Sequence, residues 1–274
     1  MGNGNTIKIA IIDLNKGKEN QGLKSLQKIL KEYSETHSLS FETTVFELRV
    51  NGEIPNLDFD IYFSTGGPGS PFDGHGKKWE ADFFTLLSDL DNYNKGNSDK
   101  KSTFLICHSF QLGCLKYGLG KITLRDSTAF GVYPILLTEE GKQDPVFQGL
   151  EDTFYSVDSR NWQVKKPISN SDLKKTKLLA LESDMLNVGA ERCMMAIRFS
   201  NEMIGTQFHP EAHPTGVENY LLKPELKKLI IENHGQEHYQ TMLNQLYEPT
   251  NLILSRNTII SNFLTESLKN LASK

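Results

Sequence analysis

The chain is poor in cysteine, carries little net charge and has no long apolar run. Its 274 residues include three cysteines, and this small odd number without paired spacing argues against a disulfide framework. A net charge of −4 gives no electrostatic attraction to nucleic acid or to an anionic membrane, so we expect neither as a partner. No apolar run approaches the roughly 20 residues of a membrane span. These features predict a cytoplasmic protein, where reducing conditions keep a free thiol usable.

Patterns that would hold a metal ion or a phosphate are also missing. The histidines do not stand beside the cysteines at the spacings of zinc sites. His209 and His213 are four residues apart, but Pro210 and Pro214 oppose the regular helix that would put both on one face. The glycine-rich segment near residue 66 lacks the glycine–lysine–hydroxyl ending of a phosphate-binding loop. We therefore expect no metal and no cofactor.

Apolar runs and helical patterns alternate along the first part of the chain. Strands are predicted at 7–13, 41–50, 59–63 and 103–107, and helices at 20–33, 77–89 and 111–117. The polar stretch 94–102 is predicted as an exposed loop. Continuous apolar strands are typical of a parallel sheet that is covered on both faces. The alternation predicts an α/β fold with a doubly wound, mostly parallel sheet of the flavodoxin-like type, which binds ligands at the carboxyl ends of its strands.

The second half of the chain changes character twice. Residues 122–182 are rich in β-type residues, with strands predicted at 131–137 and 153–157, and residues 194–208 predict a hairpin whose second strand leads to His209. From residue 215 the apolar residues recur at helical spacing and predict two or three amphipathic helices. Packing on the core is favoured for these helices over binding a partner. We therefore divide the chain into a domain at 1–214 and a helical extension at 215–274.

The segment Gln207–Glu211 carries the sharpest chemical pattern. It reads Gln-Phe-His-Pro-Glu and places His209 two residues before Glu211, with a proline restricting the backbone between them. A histidine that acts as a general base needs a third group to hold its ring, and a carboxylate does this best. The pattern therefore predicts a base and its orienting acid.

Cys107 stands directly after an apolar run and before a predicted helix. A nucleophile at such a turn is exposed at the sheet edge, and both the helix N-terminus and a nearby imidazole favour its thiolate. A buried structural role is the usual fate of a free cysteine. We expect Cys114 to lie in the core and Cys193 to be a strand residue without a role. For Cys107 the neighbouring motifs favour catalysis.

The loop 65–69 reads Thr-Gly-Gly-Pro-Gly and follows a predicted strand. Its backbone N–H groups suit a developing oxyanion, because amides fixed in advance need no reorganisation. An ordinary turn is the alternative interpretation, since glycine–proline pairs mark turns in many proteins.

In these three motifs the chain resembles the triad type of class I glutamine amidotransferases, and especially the glutaminase half of GMP synthases. The strand-end cysteine of that family, followed four residues later by glutamine, matches Cys107 and Gln111. The family's Gly-Pro-Gly loop matches Gly67–Gly69, and its Gln-Phe-His-Pro-Glu motif matches 207–211 in full. The resemblance covers about residues 7–211 and implies the α/β fold of that family.

The resemblance implies a role for each matched residue. Cys107 would attack the amide carbon, His209 would move the proton, and Glu211 would orient the imidazole. The backbone N–H groups of Gly67 and His108 would hold the oxyanion. Four further residues would contact the bound substrate, namely Gly69, Gln111, Ser159 and Arg160, although relatives often carry a Ser-His pair at the last two positions.

The implied reaction is hydrolysis of the side-chain amide of glutamine, or of a related γ-glutamyl amide, through a thioester. About sixty residues remain after the matched part, too few for a synthetase domain. Either an ammonia-accepting synthetase would be a separate partner, or the enzyme would be a stand-alone hydrolase. The sequence indicates no oligomeric state. Two departures from the family are Leu105 and Ser109, which replace glycines two residues before and after the nucleophile.

Two alternatives remain open. The first keeps the triad and changes the substrate, as in a γ-glutamyl hydrolase or peptidase, or in an acyltransferase of the homoserine type. The second is an inactive relative that serves in binding or regulation, which the altered turn around Cys107 favours and the intact triad opposes.

Overall fold

The computed structural model describes residues 6–17, 19–165, 176–183, 192–248 and 252–272. Within these ranges, nine strands form one sheet in the order β2-β1-β3-β4-β9-β8-β7-β5-β6. The strands are β1 (Ile7–Asp13), β2 (Phe41–Glu47), β3 (Ile61–Ser64), β4 (Ser102–Ile106), β5 (Lys121–Leu137), β6 (Thr153–Lys165), β7 (Lys177–Glu182), β8 (Met194–Arg198) and β9 (Met203–Thr206).

The helices are α1 (Gln21–Thr36), α2 (Leu48–Asn51), α3 (Lys78–Gly96), α4 (His108–Tyr117), α5 (Glu139–Gln143), α6 (Pro214–Leu221), α7 (Pro224–His234), α8 (Gln236–Leu246) and α9 (Leu254–Ala272). None of these helices is long and apolar enough to cross a membrane. The predicted α/β fold is confirmed.

The sheet is mixed, and its two halves differ in direction. Strands β2, β1, β3, β4 and β9 pair in parallel, whereas the pairs from β9 through β8, β7 and β5 to β6 are antiparallel. The predicted hairpin before His209 is present as β8 and β9. Parallel strands end at a common edge, so the segments that follow β3, β4 and β9 lie side by side.

Alternate residues of the central strands pack on opposite faces of the sheet. Ile11 and Phe63 face the helices α1 and α9, and Ile12 and Tyr62 face the other side with α3. This two-sided burial explains why the strands are continuously apolar. Helix α1 begins where Asn20 caps it, since the Asn20 side chain accepts a hydrogen bond from the N–H of Leu23 at 3.1 Å.

The C-terminal helices pack in two groups. Phe263 of α9 lies edge-on to Phe63 and Phe104, at ring distances of 5.4 and 5.1 Å, and so belongs to the main core. Helices α6, α7 and α8 instead form a smaller cluster with β5 and β6, around buried Tyr239 and Met242. Helix α9 therefore packs on the core, as was favoured over partner binding for the C-terminal helices. The division of the chain at residue 214 stays a prediction.

The predicted bounds of four elements were wrong. The second strand ends at Glu47, because Leu48 turns into the core and Gly52, at φ +69°, closes a single helical turn. The stretch predicted as an exposed loop contains the end of α3 and the start of β4. Asn94 is buried there, and its side chain pairs with both backbone groups of Lys101. The strands predicted at 131–137 and 153–157 are the ends of the much longer β5 and β6.

Replacing Phe263 with alanine tests whether α9 is part of the core. Loss of a buried aromatic ring between two others is expected to lower the free energy of unfolding by about 3–5 kcal/mol. Urea denaturation measures this loss. Asn257→Ala, on the exposed side of the same helix, is the control and should change stability by less than about 0.5 kcal/mol. Equal effects of the two changes would contradict the packing described here.

Candidate active site

Three loops meet at the carboxyl end of the parallel strands. They follow β3, β4 and β9 and contain Gly66, Cys107 and His209. Ile106 and Thr206 are partners in the parallel register of β4 and β9, and the N–H of Cys107 continues this pairing by donating to the carbonyl of Thr206 at 2.7 Å. Residues about 100 positions apart in sequence are thereby joined at one point.

The backbone of Cys107 adopts a reversed conformation, with φ +52° and ψ −100°. Apart from Ser38, no other non-glycine residue in the described ranges has a positive φ. Such a conformation costs of order 1–3 kcal/mol and persists only where the surroundings enforce it. Helix α4 begins at the next residue, so strand, sharp turn and helix follow each other as in a nucleophile elbow.

Ser109 stabilises this turn at a position where the resemblance expects glycine. Its hydroxyl oxygen accepts a hydrogen bond from the N–H of Ile106 at 2.7 Å and donates to the carbonyl of Ser64 at 2.8 Å. The side chain therefore links the ends of β3 and β4 beneath the nucleophile. The replacement is compatible with the elbow because the hydroxyl satisfies buried backbone groups.

Leu105, the second departure, is accommodated by a glycine elsewhere. Its side chain is fully buried, and a β-carbon added at Gly113 of α4 would lie only 2.8 Å from Leu105 Cδ1. The large side chain of Leu105 on β4 fits against α4 because Gly113, which faces it, has no side chain. Helix and strand thereby keep a close approach while the elbow conformation is preserved.

Glu211 holds the imidazole of His209. Its Oε1 lies 2.8 Å from His209 Nδ1, and its side chain is 3% exposed. A β-carbon at Gly22, in the first turn of α1, would lie 2.8 Å from the same oxygen. The hydroxyl of Ser25 donates to the Glu211 carbonyl. The carboxylate thus rests on the N-terminal end of α1, where negative charge is favourable.

The other side of the imidazole faces Cys107. His209 interacts with the Cys107 sulfur as well as with Glu211, and Gly66 lies between them, since a β-carbon there would be 2.9 Å from His209 Cε1 and 3.4 Å from Cys107 Cβ. Burial disfavours the charged ring, but the charges of Glu211 and Cys107 outweigh it and hold the pKa of His209 well above its usual range. The arrangement favours the imidazolium form of His209 beside Cys107.

The two predicted oxyanion donors come from different segments of the chain. His108 is the first residue of α4, and its N–H is one of those that a helix leaves without an intrahelical partner. Gly67 lies in the loop after β3 and packs closely against the carbonyl of Leu14. The imidazole of His108 is buried, and burial, with a smaller contribution from Arg49, lowers its pKa to about 3. It is therefore neutral and does not act as a second cation beside the nucleophile.

Three of the four predicted substrate contacts can be described by their neighbours in the structure. Ser159 is next to the nucleophile, with its carbonyl 3.7 Å from Cys107 Sγ, and Gln111 lies beneath, donating to the Trp162 carbonyl at 3.0 Å. Gly69 belongs to the loop after β3 and lies beside the carboxylate of Asp73.

Arg160, the remaining predicted contact, is engaged inside the chain. Its Nε lies 2.8 Å from Asp158 and its Nη2 3.1 Å from Glu182. Nη1 is buried and, among the described residues, has no hydrogen-bond partner. Contact of Arg160 with the bound substrate stays a prediction, and only Nη1 is left for it.

Sequence reasoning missed several residues of this site. Gly22 and Gly113 act only through close approach, and no local pattern marks them. Gln207 was part of the recognised motif, but its contact with the sulfur, at 3.7 Å, was not anticipated. Cys114 lies in the core as expected, and Cys193, which directly precedes β8, is buried as well. Burial raises the pKa of Cys114 well above its usual value and that of Cys193 to about 11.

The sequence model of the family Glutamine amidotransferase class-I matches residues 23–229. The chain belongs to this family. A glutamine amidotransferase from Thermotoga maritima has a similar structure, with a TM-score of 0.68, 12% identity, and coverage of 96% of this chain and 98% of that one. A glutamine amidotransferase from Methylobacillus flagellatus gives a TM-score of 0.66 at 13% identity, over 97% and 96% of the two chains. At these identities the likeness concerns the fold.

A homoserine O-acetyltransferase from Petrotoga mobilis is 26% identical over 191 residues. The match covers 69% of this chain and 53% of that protein. The amidotransferase chain described here therefore spans about half the length of this curated relative. Among the described residues, no three histidine, cysteine or acidic side chains are grouped so as to hold a metal ion.

The complementarity of Leu105 and Gly113 can be tested with a double-mutant cycle. Gly113→Ala alone is expected to destabilise the fold by about 1–2 kcal/mol, because overpacking outweighs the better helix propensity of alanine. In the Leu105→Ala background the same change should lose most of this effect, since Leu105 Cδ1 is gone. Urea denaturation of the four proteins gives the coupling energy. Additive effects would refute the proposed match between the two positions.

Proposed function

We propose that this amidotransferase hydrolyses the side-chain amide of glutamine, or of a related γ-glutamyl amide, to the carboxylate and ammonia. The observation that carries the proposal is the hydrogen bond of 2.8 Å that holds His209 Nδ1 on Glu211. It leaves Nε2 as the nitrogen that can exchange a proton with the reacting atoms. Membership of the glutamine amidotransferase family supports the choice of substrate.

The first half-reaction forms a thioester. The Cys107 thiolate attacks the amide carbon, and the carbonyl oxygen takes up the negative charge near the N–H groups of Gly67 and His108. As the tetrahedral intermediate collapses, the C–N bond breaks and the His209 imidazolium gives its proton to the departing ammonia. The neutral imidazole remains, and the acyl group is bound to sulfur.

The second half-reaction releases the acid. His209 takes a proton from water, the resulting hydroxide attacks the thioester carbon, and the C–S bond breaks. The thiolate and the imidazolium are restored, so one amide and one water give one carboxylic acid and one ammonia, and the acid then passes its proton to ammonia or water. Gly69, Gln111, Ser159 and Arg160 are proposed to contact the γ-glutamyl part of the substrate, and a synthetase is proposed to accept the ammonia.

An acyltransferase of the homoserine type is the second candidate, because a curated relative carries that name. It would use the same acyl-enzyme, with a substrate hydroxyl in place of water. The two candidates differ in the acyl donor and in the second nucleophile, and not in the role of Cys107.

Glutamate release from glutamine tests the proposed reaction. Cys107→Ala should reduce release by at least about 10³-fold, since the nucleophile is lost, whereas the matched control Cys114→Ala should retain it. A parallel assay offers acetyl-CoA and homoserine and follows the free thiol of CoA. Cys107-dependent CoA release without glutamate formation would replace the first candidate by the second. No Cys107-dependent turnover and no labelling by a glutamine-like chloroketone would reject both.

The pH profile tests the role of Glu211. In the native chain the raised pKa of His209 keeps the imidazolium, and hence the proton for ammonia, available to higher pH. Glu211→Gln preserves the shape and removes the charge, so the pKa of His209 should fall and the alkaline limb of kcat/KM should move to lower pH. The value of kcat should drop by about 10²–10⁴-fold. The surface change Glu35→Gln is the control, and an unmoved alkaline limb in Glu211→Gln would disprove the assignment.

A further inference from the structure

We infer that the side-chain amide of Gln207 donates a hydrogen bond to the sulfur of Cys107 and stabilises its thiolate. The inference rests on the proposed function, because it assigns to Gln207 a part in preparing the same nucleophile. Gln207 is fully buried at the end of β9, and its Nε2 lies 3.7 Å from Cys107 Sγ. Its backbone is fixed by the β8–β9 hairpin, where its N–H donates to the Met195 carbonyl at 2.8 Å.

The direction of the Gln207 amide follows from a chain of hydrogen bonds. The carbonyl of Trp162 can only accept, so the end of Gln111 that lies 3.0 Å from it must be the NH₂ group. The same NH₂ group lies 3.0 Å from the Gln207 amide, which must therefore present its oxygen to Gln111. The NH₂ end of Gln207 is then the one that faces the sulfur. The Trp162 carbonyl thus fixes the orientation of the Gln111 amide, and through it that of the Gln207 amide, so that the Gln207 NH₂ group faces the sulfur.

The two non-histidine contacts of the sulfur favour opposite protonation states. The Ser159 carbonyl, 3.7 Å from Sγ, can only accept and suits an S–H group. The Gln207 NH₂ can only donate and suits a thiolate, and hydrogen bonds to a charged atom are about twice as strong as neutral ones. With the imidazolium of His209 also facing the sulfur, the thiolate has two partners where the thiol has one. Gln207 therefore acts on the free nucleophile before substrate is attacked.

Alkylation of the intact protein by iodoacetamide between about pH 5 and pH 10 tests this inference. The rate at Cys107, which is 6% exposed, is followed by mass spectrometry of its own peptide, so that alkylation at Cys114 or Cys193, each 1% exposed, is not counted. Gln207→Leu removes the donor, and Gln207→Glu keeps the shape but, once ionised at the alkaline end of the range, offers only acceptors. The midpoint of the pH–rate profile is expected to rise in both variants, and reactivity at neutral pH to fall on the order of tenfold in Gln207→Leu. The midpoint should rise further in Gln207→Glu, because two negative charges would face each other once both groups are ionised.

Two controls separate this role from a structural one. Gln240→Leu, an exposed change on α8, should leave the profile unchanged, and circular dichroism checks that each variant is folded. If Gln207→Leu does not fold, the isosteric Gln207→Glu carries the test. Profiles that share the native midpoint and differ only in limiting rate would overturn the inference. Alkylation needs no glutamine, so a midpoint shift in a protein that releases no glutamate would reject the proposed substrate and keep the role of Gln207.

Discussion

The parallel pairing of β4 with β9 is the contact on which the whole candidate site depends. It joins two strands about 100 residues apart in the chain, and the Cys107 N–H extends it by one hydrogen bond to Thr206. Side chains alternate along a strand, so a slip of one residue would turn His209 away from the sulfur. The same pairing positions Gln207, and the bond from His209 N–H to the Val157 carbonyl then brings β6 and Ser159 to the nucleophile.

Much of the fold follows from local patterns. The parallel half of the sheet is readable because each of its strands is buried on both faces and therefore apolar throughout. The antiparallel half was only outlined, since β5 and β6 carry polar residues such as Arg125 and Arg160, whose charges are satisfied across strands. The helical turn at Leu48 also competes with a good strand pattern, and burial of that single side chain decides the outcome.

The proximity of Cys107, His209 and Glu211 was predictable because each motif follows a strand of the parallel half, and parallel strands bring their carboxyl ends together. The way in which Leu105 and Ser109 are accommodated around Cys107 was not predictable. Leu105 looks incompatible with a tight turn until Gly113 is seen opposite it, and Ser109 looks neutral until its hydroxyl is seen between two strand ends. Such compensations depend on neighbours in space, so one sequence without its structure does not reveal them. The family's glycines are thus one solution to a packing requirement that this chain meets in another way.

The position of Phe263 near the end of the chain affects how the protein folds during its synthesis. Strands β1 to β4 leave the ribosome first, whereas β9 follows about 100 residues later and the ring of Phe263 later still. Until then the rings of Phe63 and Phe104 lack their cover, and apolar surface that awaits its partner is prone to association. The nascent amidotransferase therefore completes its central layer long after its first strands have been made, and chaperones that shield exposed aromatic side chains are most needed during that interval.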